Sequence, residues 1–320
     1  MQVLRKCSAL LMALSVLGCT DKTTDVAPAI SPPDYLSLTN GRVYLERGPL
    51  RVSITPAVGG RIESLSYGAV ERLAPRSANN NEWGNVLWTS PQADWGWPPP
   101  EALDSAPYRI EITATGVQLH SSKSEKLGVS LSKAYALAEN TDTLIIDYQI
   151  LNQSDREITL APWEITRLPA QGQVFFPKGD TPYHSGQFAP LDFTHSAGIA
   201  WFDYAAQTLS ADHYKSMTDG DEGWLAYQAD DWLFVKAFEN VPADLIAPGE
   251  GEIELYAKGD GSYIELEQQG YLTTLLPGEA LDWRVLWAFE LLPQGELQTN
   301  REWLVARARQ LAGLALNDTD

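Results

Sequence analysis

Short stretches of alternating or β-branched hydrophobic residues recur along most of the chain, separated by turn-forming residues. They run from about Tyr35 to Pro293, with clear examples at residues 51–55, 116–120, 143–150, 232–238, 252–256 and 283–289. An alternation with a period of two is typical of strands with one buried face. Asn-Gly, Gly-Gly and Pro-Gly pairs mark the turns, as hairpins and Greek-key connections require. The pattern predicts an all-β protein, folded as a large antiparallel sandwich.

A helical pattern occurs near the C-terminus. Its apolar positions share one face at helical spacing: Leu304, Ala308, Leu311 and Ala315. The preceding run Thr299-Asn300-Arg301-Glu302 has the form of a capping box. Together these features predict a helix over residues 300–313 that packs against the sandwich as a closing brace.

The first eighteen residues have the form of an export signal. Arg5 and Lys6 precede an apolar run at residues 9–17, which is too short to span a bilayer as a mature helix. We therefore expect residues 1–18 to be a signal peptide that is removed from the folded protein. The folded domain is predicted to comprise residues 35–320.

The signal ends in Val16-Leu17-Gly18-Cys19, which resembles the bacterial lipobox. The resemblance implies cleavage before Cys19 and acylation of that cysteine, and two lipid chains already suffice for stable membrane attachment. Residues 19–34 then form the lipidated cysteine and a tether rich in Pro and Thr. Thr20 after the cysteine favours the outer membrane, on its periplasmic face or at the cell surface. The alternative is a plain secretory signal with an incidental cysteine.

The net charge and the positions of the cysteines exclude several kinds of site and disfavour several kinds of ligand. The 320 residues include 23 Lys and Arg against 42 Asp and Glu, and removal of the signal changes the net charge from -19 to -21, because Arg5 and Lys6 leave with it. Such a negative field disfavours nucleic acid and acidic polysaccharides, and it favours neutral ligands. No cysteine follows Cys19, which excludes disulfides, Cys-ligated zinc and a thiol nucleophile from the folded domain.

Residues 79–100, which we call the tryptophan loop, contain four of the eleven tryptophans among amides and prolines. Core strands are rich in Val, Ile and Leu, whereas Trp beside Asn and Gln offers flat apolar faces next to polar groups. Sugars require both, because their C–H faces stack on rings while their hydroxyls form hydrogen bonds. The candidate ligand contacts are Trp88, Trp95, Trp97, Asn85 and Gln92. The alternative is that these tryptophans only hold a long loop in place.

A second candidate cluster lies at residues 161–168. Strand alternation places Trp163, Ile165 and Arg167 on one face and Glu164 on the other. Trp163 and Arg167 are therefore candidate ligand contacts, with Arg167 able to hold a hydroxyl or a carboxylate. The alternative is a surface arginine stacked on tryptophan. Glu164 would not share this pocket.

Glu265 and Glu267 also share a strand face, since they are two residues apart. If both line a cleft, burial and mutual repulsion would raise the pKa of one of them into the range of a general base. The alternative is a solvated pair of carboxylates.

Several segments resemble the galactose mutarotase-like proteins. Leu266-Glu267-Gln268-Gln269, followed by Leu-Leu-Pro-Gly-Glu at residues 275–279 and an aromatic strand, is similar to that family's C-terminal signature, in which a Leu-Glu-x-Gln motif supplies the catalytic base. Residues 58–65 resemble the family's opening hairpin. Residues 87–92 and 163–166 are similar to an uncharacterised bacterial branch known only as a domain of unknown function. The resemblance spans about Leu38 to Leu292.

The resemblance implies a β-supersandwich with a sugar-sized cleft on its concave face and Glu267 as the general base. In true mutarotases a histidine protonates the ring oxygen, and it belongs to a His-x-Tyr-Phe-Asn-Leu motif that this chain lacks. His184, in Thr-Pro-Tyr-His-Ser-Gly at residues 181–186, is the nearest candidate for the acid. The family's Asn-Arg and His-Gly-Gly substrate motifs are also missing.

No metal or other cofactor is expected. His184, His195 and His213 are spaced at intervals that match no compact metal motif. The acidic turn at residues 219–222 lacks the alternating ligands of a calcium loop.

Three functional hypotheses follow. The first is a membrane-anchored carbohydrate-binding domain that recognises a neutral sugar or glycan. The alternative is a sugar-modifying enzyme acting at the anomeric centre, similar to an aldose 1-epimerase, with Glu267 as base and His184 as acid. The third is an envelope-assembly or scaffold protein that has kept the fold and lost the site, and fold alone does not decide among them.

Overall fold

The structure is a computed structural model, and it describes residues 31–293, 295 and 299–317. The predicted signal peptide, Cys19 and most of the predicted tether lie outside the described residues. None of the helices in these ranges is both long enough and apolar enough to cross a membrane.

The described chain is built mainly from β-strands. In chain order they are β1 (Leu36–Thr39), β2 (Arg42–Arg47), β3 (Leu50–Thr55), β4 (Arg61–Tyr67), β5 (Val70–Glu71), β6 (Asn85–Ser90), β7 (Arg109–Ile112), β8 (Val117–His120), β9 (Val129–Leu137), β10 (Thr143–Asn152), β11 (Ile158–Leu168), β12 (Gln173–Pro177), β13 (Thr194–Ser196), β14 (Ile199–Asp203), β15 (His213–Thr218), β16 (Trp224–Ala229), β17 (Trp232–Phe238), β18 (Ile253–Lys258), β19 (Ile264–Gln269), β20 (Thr273–Leu275) and β21 (Ala280–Leu291). The α-helices are α1 (Glu101–Asp104) and α2 (Arg301–Asn317). Short 3-10 turns occupy Arg76–Ala78, Gln92–Asp94, Tyr204–Ala206 and Ala243–Leu245.

The strands form two antiparallel sheets. Sheet 1 has the order β1-β2-β3-β4-β6-β11-β19-β18-β15, with β5 paired to β4 and β20 paired to β11. Sheet 2 has the order β13-β14-β12-β16-β17-β21-β10-β9-β8-β7. The prediction of an all-β antiparallel sandwich with a C-terminal helix is confirmed.

The main core lies between the sheets and follows from the alternation of the strands. Along β9, every second residue is buried, from Val129 to Leu137. Strand β17 is instead buried at all seven positions, because its second face is covered by α2. Leu304 and Ala308 of α2 pack in one cluster with residues such as Leu233 of β17. The helix is therefore the brace that its apolar face predicts.

The ends of the helix differ from the prediction. Its first residue is Arg301, and the Asn300 side chain caps it by accepting the Trp303 N–H at 3.0 Å. The capping position is therefore one residue later than the capping box predicts. Both Asn and Thr are good N-cap residues, so the local sequence permits either position. The helix also continues past residue 313, to Asn317. The side chain of Ala315 lies outside the described residues.

A buried polar network joins the two sheets. The Lys236 ammonium of β17 lies 2.9 Å from the Glu164 carboxylate of β11, and both side chains are fully buried. Trp287 donates its indole N–H to Glu164 at 2.9 Å, and Lys236 donates to Gln268 of β19 at 2.8 Å. Glu164 and Gln268 therefore face sheet 2. Their neighbours in sequence face the opposite side of sheet 1, where the candidate site lies.

Candidate ligand-binding cleft

A cavity of about 330 Å³ opens on the face of sheet 1 that points away from sheet 2. We call it the cleft. It is lined by Glu82, Trp88, Gln92, Trp97, Trp163, Arg167, Gln187, Phe188, His213, Lys215, Tyr256, Glu265 and Glu267. Its volume is at the lower end of the range found for small-molecule sites.

Strand register explains why residues distant in sequence meet here. Arg167 on β11 is paired with Glu265 on β19, Glu265 with Tyr256 on β18, and Tyr256 with Lys215 on β15. These four residues form one row across the sheet, and paired residues on one face of a sheet are neighbours. Glu267 lies two residues further along β19 and therefore projects into the same cleft.

Glu267 is buried at the base of the cleft. Its Oε2 accepts the Trp163 indole N–H at 2.9 Å and lies 3.0 Å from the Lys215 ammonium. Its Oε1 is also buried and has no hydrogen-bond partner among the described residues. Burial raises the pKa of the Glu267 carboxyl to about 7, although Lys215 opposes the shift. The group is thus suited to exchange a proton near neutral pH.

Lys215 is the counter-ion of two buried carboxylates. Its Nζ lies 2.6 Å from Glu254 and 3.0 Å from Glu267, and it lies 4.8 Å from the ring centroid of Trp163. Burial alone lowers the pKa of Lys215, but Glu254 and Glu267 outweigh burial and the pKa is raised. Lys215 therefore stays charged. Sequence reasoning missed this residue, because a single Lys in a strand carries no signal of its partners.

Arg167 is the second buried cation in the cleft wall, with 1% of its side chain exposed. Its Nε donates to Glu265 at 2.7 Å, and its guanidinium carbon lies 5.6 Å from the ring centroid of Trp88. Nη1 and Nη2 are buried without a hydrogen-bond partner in the described part of the chain. Burial lowers the pKa of Arg167, but Glu265 and Glu82 outweigh it and the pKa is raised. The guanidinium therefore retains two donor nitrogens for further acceptors.

Three tryptophans of the tryptophan loop form a cluster with Trp163. Trp88 is the centre, and its ring meets those of Trp95, Trp97 and Trp163 nearly edge to face at centroid distances of 5.6, 5.9 and 5.4 Å. Trp95 is buried and donates its indole N–H to the Thr89 carbonyl at 2.8 Å, so it supports Trp88 from outside the cleft. Trp97 lies at the rim of the cleft. Gln92 also lines the cleft, and its backbone N–H donates to the Glu250 carboxylate at 2.8 Å.

Asn85 does not line the cleft. Its side chain donates to the Thr166 hydroxyl at 3.1 Å and accepts from the Tyr148 hydroxyl at 3.3 Å. Tyr148 belongs to sheet 2, so Asn85 faces the space between the sheets. The reason is its odd spacing from Trp88, which places the two side chains on opposite faces of β6.

His184 also lies outside the cleft. It lines a separate cavity of about 180 Å³ together with Tyr183 and His195, and its Nε2 lies 3.2 Å from the Glu250 carbonyl oxygen. The structure therefore does not bring His184 and Glu267 into one cavity. The segment around His184 pairs with Met217 of β15 by a single bridge, and such a long-range pairing leaves no local sequence signal.

His213 and Glu82 line the cleft but were not predicted as ligand contacts. The Nδ1 of His213 lies 2.5 Å from the Tyr256 hydroxyl, which orients the imidazole ring. Burial raises the pKa of Glu82, which accepts from Asn79 at 3.2 Å. Sequence reasoning considered His213 only as a metal ligand. Within residues 31–293, 295 and 299–317, no group of three or more His, Cys, Asp or Glu side chains is placed to hold a metal ion.

Residues 41–290 match the model of a protein family described as a domain of unknown function, DUF4380. No curated protein matches the chain in sequence.

Solved structures share the fold at low sequence identity. A galactose mutarotase-like protein from Lactobacillus casei is 11% identical with a TM-score of 0.52, over 78% of this chain and 100% of that one. A galactose 1-epimerase from Lactobacillus acidophilus is 14% identical with a TM-score of 0.50, over 79% of this chain and 95% of that one. A TPR-domain containing protein from Parabacteroides distasonis is 15% identical with a TM-score of 0.56, over 79% of this chain but only 48% of that one. This chain thus spans about half of the last protein, and these likenesses establish the sandwich fold alone.

Proposed function

The chain belongs to the DUF4380 family, which is defined by a domain of unknown function, and from its cleft we propose that it binds a neutral sugar or glycan. The observation that carries the proposal is the combination of tryptophan rings with buried polar groups in one cavity. Trp88, Trp97 and Trp163 offer apolar faces, while Arg167 and Glu267 retain polar atoms that have no hydrogen-bond partner among the described residues. A sugar supplies both C–H faces and hydroxyls to such a wall.

The charges in the cleft favour a neutral ligand. Arg167 is neutralised by Glu265, and Lys215 is shared between Glu254 and Glu267. Glu82 adds a further carboxyl to the lining. An anionic ligand would meet more carboxylates than cations, whereas hydroxyls can accept from Arg167 and donate to a carboxylate without adding charge.

The test is saccharide binding by wild type and an Arg167→Lys variant. Lys keeps the positive charge beside Glu265 but lacks the planar guanidinium group with its several N–H donors. We expect titration calorimetry to detect saturable binding of at least one neutral saccharide, and Arg167→Lys to weaken it about tenfold or more. Arg109→Lys is the control, because Arg109 is an exposed arginine outside the cleft. If none of the neutral saccharides tested binds, or if Arg167→Lys folds normally and binds with unchanged affinity, the proposal is contradicted.

A second candidate function is catalysis at the anomeric centre of a sugar, similar to the reaction of an aldose 1-epimerase. It is favoured by Glu267, whose pKa is raised to about 7 by burial and whose Oε1 is unpartnered in the cleft. As base, Glu267 would take the proton of the anomeric hydroxyl while the bond from the anomeric carbon to the ring oxygen breaks. His213, which lines the same cleft, would give a proton to that ring oxygen. The ring then closes again with the opposite configuration at the anomeric carbon. In that step the ring oxygen returns its proton to His213, and Glu267 returns its proton to the anomeric oxygen.

Two-dimensional exchange NMR of α and β anomers tests this second function. Glu267→Gln and His213→Gln should each lower the exchange rate by about a hundredfold or more, the usual contribution of a general acid or base. His184→Gln is the matched control, since His184 lies in a separate cavity. Exchange no faster than in buffer alone, or an undiminished rate in Glu267→Gln, would reject the enzyme.

Membrane attachment is a further part of the proposed function. Cys19 follows the lipobox-like residues 16–18, and acylation of that cysteine would hold the domain at the cell envelope. Mass spectrometry of the N-terminal peptide from the membrane fraction should find acylated Cys19 on the outer membrane. Cys19→Ser should release the protein, whereas Cys7→Ser should not, because Cys7 lies within the predicted signal. An unmodified Cys19 would contradict the anchor.

A further inference from the structure

Three tryptophans of the cleft form a series that leads from its base to solvent. Trp163 donates its indole N–H to Glu267 at 2.9 Å and is buried. Trp88, also buried, follows at a centroid distance of 5.4 Å, and Trp97 follows Trp88 at 5.9 Å. Trp97 is 59% exposed. The series therefore extends three rings outward from Glu267.

Exposure of Trp97 is unusual within this molecule. Of the described residues, it is the one tryptophan among the large hydrophobic side chains that remain exposed. An indole left in water forgoes the free energy of burial, about 25 cal/mol for each Å² of apolar surface. Trp97 also lines the cleft, and aromatic side chains beside a few polar groups are typical of ligand sites.

The loop that carries Trp97 is held by hydrogen bonds at residues 92–95, just before Trp97. Trp95 donates to the Thr89 carbonyl at 2.8 Å, and the Gln92 N–H donates to Glu250 at 2.8 Å. Lys126 donates its ammonium to the Trp95 carbonyl. Because the loop is held in place, binding on Trp97 would not incur the entropy of ordering it. Trp97 is therefore a preformed platform outside the buried part of the cleft.

We propose that the ligand is an oligosaccharide of at least two units, with one unit against Trp163 and Arg167 and the next stacked on Trp97. This inference rests on the proposed sugar-binding function and specifies its ligand class. Trp88 contacts both Trp163 and Trp97, at centroid distances of 5.4 and 5.9 Å, so a unit against Trp163 and a unit stacked on Trp97 would be neighbours along the glycan. Gln187, which is exposed and lines the same cleft, supplies an amide for hydroxyls near the mouth. The remainder of the glycan extends into solvent.

The test compares chain lengths. Methyl glycosides of one, two and three units from neutral gluco-, galacto- and manno-series are titrated into the protein by calorimetry. We expect a disaccharide of the recognised series to bind about tenfold more tightly than its monosaccharide, the gain of one aromatic contact at an interface. Trp97→Ala should remove that gain, so that the variant binds the disaccharide no more tightly than the monosaccharide. Leu276→Ala is the control, because Leu276 is 50% exposed and lies outside the cleft.

The outcomes separate this inference from the function on which it rests. Equal affinities for one and two units, with no effect of Trp97→Ala, would overturn the two-unit ligand and leave sugar binding standing. An equal loss for monosaccharide and disaccharide in Trp97→Ala would also overturn it, because Trp97 would then contact the first unit. If no saccharide of any length binds the wild type, the proposed function itself fails.

Discussion

The Lys215→Met variant tests the electrostatics at the base of the cleft. Lys215 is the cation within 3.0 Å of two buried carboxylates, on Glu254 and Glu267. Met keeps most of the apolar stem and removes the ammonium, so the loss of packing is small. Removing one partner of a buried ion pair leaves an uncompensated charge, and this typically costs about 3–5 kcal/mol. We expect the free energy of unfolding at pH 8 to fall by about that amount.

The loss should shrink on acidification. The pKa of Glu267 in the folded protein is about 7, above its value of roughly 4.3 in an unfolded chain, and removal of Lys215 raises it further. A carboxyl with a raised folded pKa makes the folded state bind more protons, so stability falls as pH rises through the interval between the two pKa values. At pH 5 the Glu267 carboxyl of the folded variant is protonated, and each pKa unit between the measuring pH and the folded pKa returns about 1.4 kcal/mol. The variant should therefore approach wild type.

Urea denaturation followed by tryptophan fluorescence at pH 5 and pH 8 measures both quantities. Lys123→Met serves as the control, because Lys123 is partly exposed and its Nζ lies 3.9 Å from Glu125. Its removal should change the free energy of unfolding by less than about 0.5 kcal/mol at either pH. A loss below about 1 kcal/mol for Lys215→Met at pH 8, or an equal loss at both pH values, would refute Lys215 as the counter-ion.

Three further predictions concern the tryptophan loop, the core and the cleft. Trp95→Ala should lower the free energy of unfolding by about 3–5 kcal/mol because Trp95 is buried, and Trp97→Ala by less than about 1 kcal/mol; equal urea midpoints would contradict this. Lys236→Met should cost about 3–5 kcal/mol, since it leaves the Glu164 carboxylate unpaired between the sheets, and an unchanged thermal midpoint would argue against that pair. If Glu267 is a general base, kcat/KM for anomer exchange should rise with pH through about 7 on the acid side of its pH profile, whereas a rate that does not change there would exclude it.

Local patterns predicted much of the secondary structure and of the cleft. The shared face of Trp163 and Arg167, and that of Glu265 and Glu267, could be read from a period of two, because side-chain direction in a strand is a local property. The helix was found from its apolar face, but its cap was placed one residue too early. Thr299 and Asn300 are both capping residues, and only the backbone path selects Asn300.

The sequence alone was sufficient for the all-β class, the C-terminal helix and the faces that Glu267 shares with Glu265 and that Arg167 shares with Trp163, since each depends on neighbours along the chain. The tertiary structure decided which residues join them. Lys215 reaches Glu267 from 52 residues away through the pairing of β15, β18 and β19. His184 lies in another cavity, and His213 takes a place in the cleft. Strand order and register are set by long-range pairing that packs the whole core, and no local window of sequence contains that information.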